Sequence, residues 1–120
     1  MRRTGIVIVF AVLAALVACG PERTKTPPDE LIGTWKTSAP KYADTFIELT
    51  RTTITFGAGE AGSHVRSIAA VEKVREDGNI LYTVFYVDQG GQEYKLAFYF
   101  DPANGGVMRW KNQKSIAWTR

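Results

Sequence analysis

Apolar and polar positions divide the chain into three stretches. Arg2 and Arg3 precede thirteen uncharged, almost wholly apolar residues from Ile6 to Ala18. A charged start, a short greasy middle and small residues before a cut describe a secretory signal peptide over residues 1–18. About 20 apolar residues are needed to cross a hydrocarbon core, so this run is too short for a span. Residues 20–30 (GPERTKTPPDE) are polar and proline-bearing, with nothing to bury. They read as a flexible tether of roughly 17–20 Å, stiffened by Pro27 and Pro28 at its far end. From residue 31 to 120, short runs rich in Thr, Ile, Val, Tyr and Phe alternate with turn clusters, which predicts an all-β domain.

Strands are expected near residues 33–37, 45–50, 53–57, 65–75, 79–87, 92–100, 107–110 and 115–119. Asp77-Gly78-Asn79, Gly90-Gly91 and Asn104-Gly105-Gly106 supply residues that tolerate positive φ in tight hairpins. Connections this short make consecutive strands antiparallel neighbours, so an up-and-down meander follows. Eight such strands can close into a small barrel and remove the exposed edges. Residues 67–76 (SIAAVEKVRE) carry alanine and glutamate that suit a helix, but the turn directly after them favours a strand. Residues 57–62 match G-x-G-x-x-G, with Asp77 further on. A dinucleotide fingerprint needs a parallel βαβ unit around it, and a domain of short strands has no room for one, so this stretch is a hairpin loop.

The pair of strands over 79–100 carries the most information. An even-numbered loop (Gly90-Gly91, or Asp88 to Gly91) makes opposed residue numbers sum to an odd value. Leu81, Thr83, Phe85 and Val87 then share the core face with Tyr94, Leu96, Phe98 and Phe100. The other face carries Ile80, Tyr82, Val84 and Tyr86 beside Lys95, Ala97 and Tyr99, and is unusually apolar for a surface facing water. Two readings of that face stay open: tyrosines that favour strands and show their hydroxyls to water, or a contact surface.

Composition adds limits. The chain has 15 Lys and Arg against 12 Asp and Glu, and two of the cations, Arg2 and Arg3, leave with the signal. A near-neutral remainder gives no electrostatic case for nucleic acid. Arg109, Lys111, Lys114 and Arg120 follow Asp101 with no acid among them. They form either a solvated strand face or a patch facing anionic headgroups. His64 is the only histidine and Cys19 the only cysteine, so neither a metal cluster nor a Cys/His pair is expected. Ser63 and Ser67 lie too near His64 in sequence for a convincing triad, and Glu48, Glu72 and Glu93 are expected to face water. No catalytic residue, metal or cofactor is predicted, and the chain does not read as an enzyme.

Two resemblances complete the picture. Leu16-Val17-Ala18-Cys19 resembles the lipobox of bacterial lipoproteins: an aliphatic residue, two small or aliphatic ones, then cysteine. The resemblance implies cleavage before Cys19, acylation of its sulfur and new amine, and attachment to a membrane of the bacterial cell envelope. Two or three acyl chains at about 0.8 kcal/mol per buried methylene would make that attachment nearly permanent. In that family an aspartate directly after the cysteine favours the inner membrane. Gly20 stands there instead, so the resemblance implies the periplasmic face of the outer membrane in a Gram-negative cell.

Gly33-Thr34-Trp35 at the start of the domain and Arg120 at its end resemble the lipocalin and calycin barrels. In those families the tryptophan plugs one end and the late arginine stacks on it, roles that would fall to Trp35 and Arg120. The expected function is a binding module. A protein partner docked on a stripe of Tyr82, Tyr86 and Tyr99 leads, because so short a barrel is largely filled by side chains. The alternative is a small apolar ligand touching Phe85, Val87, Tyr94 and Leu96 near one rim.

Overall fold

The computed structural model describes residues 21–120. Nine strands follow in chain order: β1 (Glu22–Thr24), β2 (Gly33–Lys36), β3 (Thr45–Leu49), β4 (Thr53–Ala58), β5 (Ser63–Glu76), β6 (Asn79–Val87), β7 (Glu93–Asp101), β8 (Val107–Trp110) and β9 (Gln113–Thr119). Strands β2 to β9 form an antiparallel up-and-down meander that closes into an eight-stranded barrel, with no α-helix among the described residues. All eight predicted strands are present. Residues 67–76 belong to β5, which reaches β6 through Asp77 and Gly78, both at positive φ. Those two dihedrals make the mirror-image hairpin turn whose twist matches that of the flanking strands.

Closure is thin at one seam, where β2 and β9 pair only at Lys36 and Thr119. Strand β5 is long enough to pair twice on one edge. Its first residues (Ser63 to Ser67) pair with β4, and Val71 to Lys73 pair with β1. Thus part of the expected free tether is a strand, and Pro27 within it is buried. The tether was read from polar composition, but backbone hydrogen bonding to an open strand edge needs no apolar side chain.

The register of β6 and β7 corrects the expected faces. Val87 pairs with Glu93 and Ile80 with Phe100, so opposed numbers sum to an even value and residues 88–92 form the loop. Asp88 sets this longer loop: its Oδ1 accepts from the amides of Gly90 (2.9 Å) and Gln92 (3.0 Å), while its own N–H donates to the Gln92 carbonyl (3.1 Å). Gly91, at φ +82°, supplies the left-handed residue the loop requires. The core face is therefore Ile80, Tyr82, Val84 and Tyr86 with Tyr94, Leu96, Phe98 and Phe100. Expectation held for β7 and failed for β6, because one residue of slip exchanges the faces of a single strand.

The interior is filled. Trp35, Ile47, Leu49, Ile54, Tyr82, Val84, Phe98, Met108 and Trp118 are essentially inaccessible to solvent and form one continuous cluster. Burial of this many large apolar side chains is the main stabilising term, at roughly 1.5–3 kcal/mol each. The two barrel ends differ. At one lie the turns 50–52 and 77–78 and the loop 102–106, together with residues 25–32 crossing from β1 to β2. At the other lie loops 37–44, 59–62, 88–92 and the turn 111–112.

Candidate functional site

The strapped end is closed by side chains that satisfy one another. Trp35 is fully buried, donates Nε1–H to the Leu31 carbonyl (3.0 Å) and meets the Phe100 ring edge-on at 6.2 Å. The Arg120 guanidinium stacks over the indole at 4.9 Å and donates to the Ile32 (3.0 Å) and Gly105 (2.8 Å) carbonyls. Gly33 makes room for this arginine. Its φ is +138°, and a Cβ there would stand 2.9 Å from Arg120 Cδ. Trp35 and Arg120, assigned to one plug from sequence, are therefore in contact.

Residues 25–31 form a strap over the same end. Arg51 pairs with Asp29 at 3.2 Å, and Tyr82, pointing inward from β6, donates its hydroxyl to the Glu30 carboxylate. Burial, that hydrogen bond, and the charges of Glu30 and Glu22 all push the Tyr82 hydroxyl well above its usual pKa. Lys73 lies 5.8 Å over the Tyr82 ring. Beside the strap, a cleft of about 580 Å³ is bordered by Glu22, Pro28, Glu30, Arg51, Lys73 and Tyr82.

The other end is an open mouth with a different lining. Phe56 on β4, His64 and Arg66 on β5, Tyr86 on β6 and Tyr94 on β7 surround a cleft of about 300 Å³. Tyr86 stacks on Tyr94 at 5.6 Å and leans against Phe56 at 5.3 Å. The Tyr94 hydroxyl donates to Asp88 (3.1 Å), which raises the pKa of the phenol. Burial likewise raises that of Tyr86. The Asp88 carboxyl is held low, first by the Gln92 amide and then by the Tyr94 hydroxyl, the Gly90 amide and the charge of Arg66, against some desolvation. Pairing of Ile54 with Arg66 and of Phe56 with His64 turns both cationic-type side chains toward the inside, and leaves Val65 outside and 56% exposed. Farther round the same end, Trp110 and Trp118 stack at 4.9 Å beneath Tyr42, whose hydroxyl accepts from Gln113 (3.0 Å). Both indole N–H groups and Gln113 Oε1 are buried without a protein partner.

The structure divides the other expected site residues. Of the four rim contacts, Tyr94 lines the mouth and Leu96 packs against the core below it. Phe85 and Val87 face outward, Phe85 beneath the Arg23 guanidinium at 4.8 Å. The tyrosine stripe does not exist as one surface. Tyr82 is 1% exposed inside the barrel, Tyr86 faces the mouth, and Tyr99 alone is outside, donating to Glu76 at 2.9 Å. Both corrections follow from the even register. The C-terminal cations divide: Arg109 and Lys114 line one outer cleft with Tyr99, and Arg120 lies apart from them. Arg109 donates to the Lys114 carbonyl, Lys114 lies over Tyr99, and Arg120 belongs to the plug. Cys19 and the lipobox lie outside the described residues.

Sequence reasoning missed Phe56, Arg66 and the inward turn of Tyr86. No face was assigned to Arg66 from sequence, because the short apolar pattern around it does not fix the phase of β5. A bulge at Ala69 shifts the phase of β5, so that Ile68 and Val71 both face the core. Among the described residues no group of three or more His, Cys, Asp or Glu is placed to hold a metal ion. Compared with protein-family profiles, curated proteins and solved structures, the chain finds no match.

Proposed function

We propose that this chain is a lipid-anchored protein of the bacterial envelope whose barrel works as a binding module and engages its target at the open mouth. A protein partner is the favoured class. The observation that carries this reading is the aromatic mouth above a packed interior, where Tyr82, Phe98 and Trp118 occupy the middle of the barrel. A small apolar ligand is the second reading, favoured by the mouth's volume of about 300 Å³, which is at the lower limit for small-molecule sites.

The anchor rests on the signal pattern and the lipobox, and the position of β1 fits it. Glu22 follows Cys19 by three residues, which reach at most about 10 Å. It pairs with Lys73 near the strapped end. An acylated Cys19 would thus hold the strapped end to the bilayer and point the mouth away from it. Cys19→Ala tests the anchor: the precursor should stay uncleaved and take up no acyl label, and normal processing would refute the assignment. For the partner, a photo-crosslinker at Tyr94 in living cells should give a discrete protein adduct that one at Asp77 does not. Equal adducts from both positions would remove the mouth from consideration. A reproducible small-molecule mass on the gently released full chain would move the second reading ahead of the first.

A further inference from the structure

We infer that the mouth is a site for an acidic group joined to an aromatic or apolar body, with Arg66 as its anion contact. The inference rests on the reading of the mouth as the binding surface and specifies its chemistry. Arg66 is half-buried among Phe56, Tyr86 and Tyr94. Among the described residues no carboxylate stands within salt-bridge distance of it, and its one hydrogen bond goes to the carbonyl of Val65. The nearby acid, Asp88, feels the charge of Arg66 from beyond salt-bridge distance, and its hydrogen bonds go to the Gly90 and Gln92 amides and the Tyr94 hydroxyl.

The Arg66 guanidinium is half-buried beside aromatic rings and beyond salt-bridge distance of Asp88, so a bound oxyanion would give it a direct charge-assisted partner. The aromatic faces of Phe56, Tyr86 and Tyr94 supply apolar contact for the remainder of such a molecule. The strand pattern agrees. Placing Arg66 inside and Val65 outside goes against the core, the kind of local conflict expected where function overrides packing. In the larger cleft by the strap Arg51 pairs with Asp29 and Glu30 accepts from Tyr82, while Lys73, the other cation there, lies over the Tyr82 ring.

The test follows the ring signals of Tyr86 and Tyr94 by NMR in the full chain, held in lipid nanodiscs, during titration with 3-phenylpropionate and, separately, its neutral amide. The acid should shift both signals and bind about tenfold or more tightly than the amide, as expected for a charge-assisted contact. Arg66→Gln should bring the two to within about twofold, and Arg66→Lys should restore part of the difference, because lysine offers the charge without the fork. Unfolding curves of both variants confirm that the barrel is intact. Equal binding of acid and amide by the unaltered protein would overturn the role of Arg66 and leave the mouth as a binding site. No shift from either compound would overturn both. A second arm compares Gly-Gly-Phe with a free and an amidated C-terminus. Tighter binding of the free peptide than of phenylpropionate identifies a protein terminus as the source of the acid, and the reverse identifies a small free acid.

Discussion

The two ends of this barrel are built from similar residues and arranged in opposite ways. Each has aromatic rings, an arginine and a carboxylate. At the strapped end Arg120 spends its donors on the Ile32 and Gly105 carbonyls and its face on Trp35, and Glu30 accepts from Tyr82. At the mouth, no carboxylate among the described residues lies within salt-bridge distance of Arg66, and Tyr94 is 44% exposed. The difference teaches that residue type does not separate a structural cluster from a binding one; what separates them is whether the polar groups are already satisfied within the chain. A satisfied network stiffens and closes its region, and an unsatisfied one gains by meeting a partner.

If this contrast is right, substitutions at the two ends should divide cleanly in their cost. Trp35→Ala should lower stability by about 3–5 kcal/mol in denaturant unfolding, as for other buried large aromatics. Tyr86→Leu at the mouth should cost about 1 kcal/mol or less. Equal losses would break the comparison.

A smaller effect sharpens the strapped end. Because the Tyr82 hydroxyl has a raised pKa, the folded state holds that proton more tightly than the unfolded chain does. The associated stability is present below the unfolded value of about 10 and is lost as pH rises beyond it. Tyr82→Phe should therefore flatten the alkaline fall in stability, with about 1 kcal/mol lost at neutral pH for the missing hydrogen bond. An unchanged alkaline profile would mean that Tyr82 is not under the strap's influence.

The smallest effect is local to the mouth. The lowered Asp88 pKa means that order in loop 88–92 is present above the unfolded value of about 3.9 and is lost as pH falls through the folded one. The amide signals of Gly90 and Gln92 should move in that acid range in the unaltered protein and hold still in Asp88→Asn. Movement in both would assign the titration to another group.

How much was legible depended on the length of chain over which a signal accumulates. Thr, Ile, Val and Tyr in short runs separated by turn residues marked eight strands, because local propensity and turn chemistry act within a few residues. The pairing of Trp35 with Arg120 was legible only through resemblance, since nothing local connects residues 85 positions apart. The mouth was half legible: Tyr94 and Leu96 were named, while Phe56 and Arg66 were not. Asp88 held the missing clue. An aspartate opening a loop that contains two glycines can cap the following amides, which lengthens the loop and reverses the parity of the strand before it.

By itself the sequence determined the fold class: a β meander of short strands separated by turn residues, short enough to be filled by its own side chains. The tertiary structure decided which face of each strand is inside, where the polar N-terminal segment lies, and that Arg66 is turned inward to the aromatic mouth. The physical reason is range. Strand propensity and turn geometry are set by neighbours along the chain. Register, by contrast, depends on the exact count of loop residues, and one residue exchanges the inside for the outside. Whether a charge is satisfied depends on groups brought together from distant strands, and those meet only when the barrel closes.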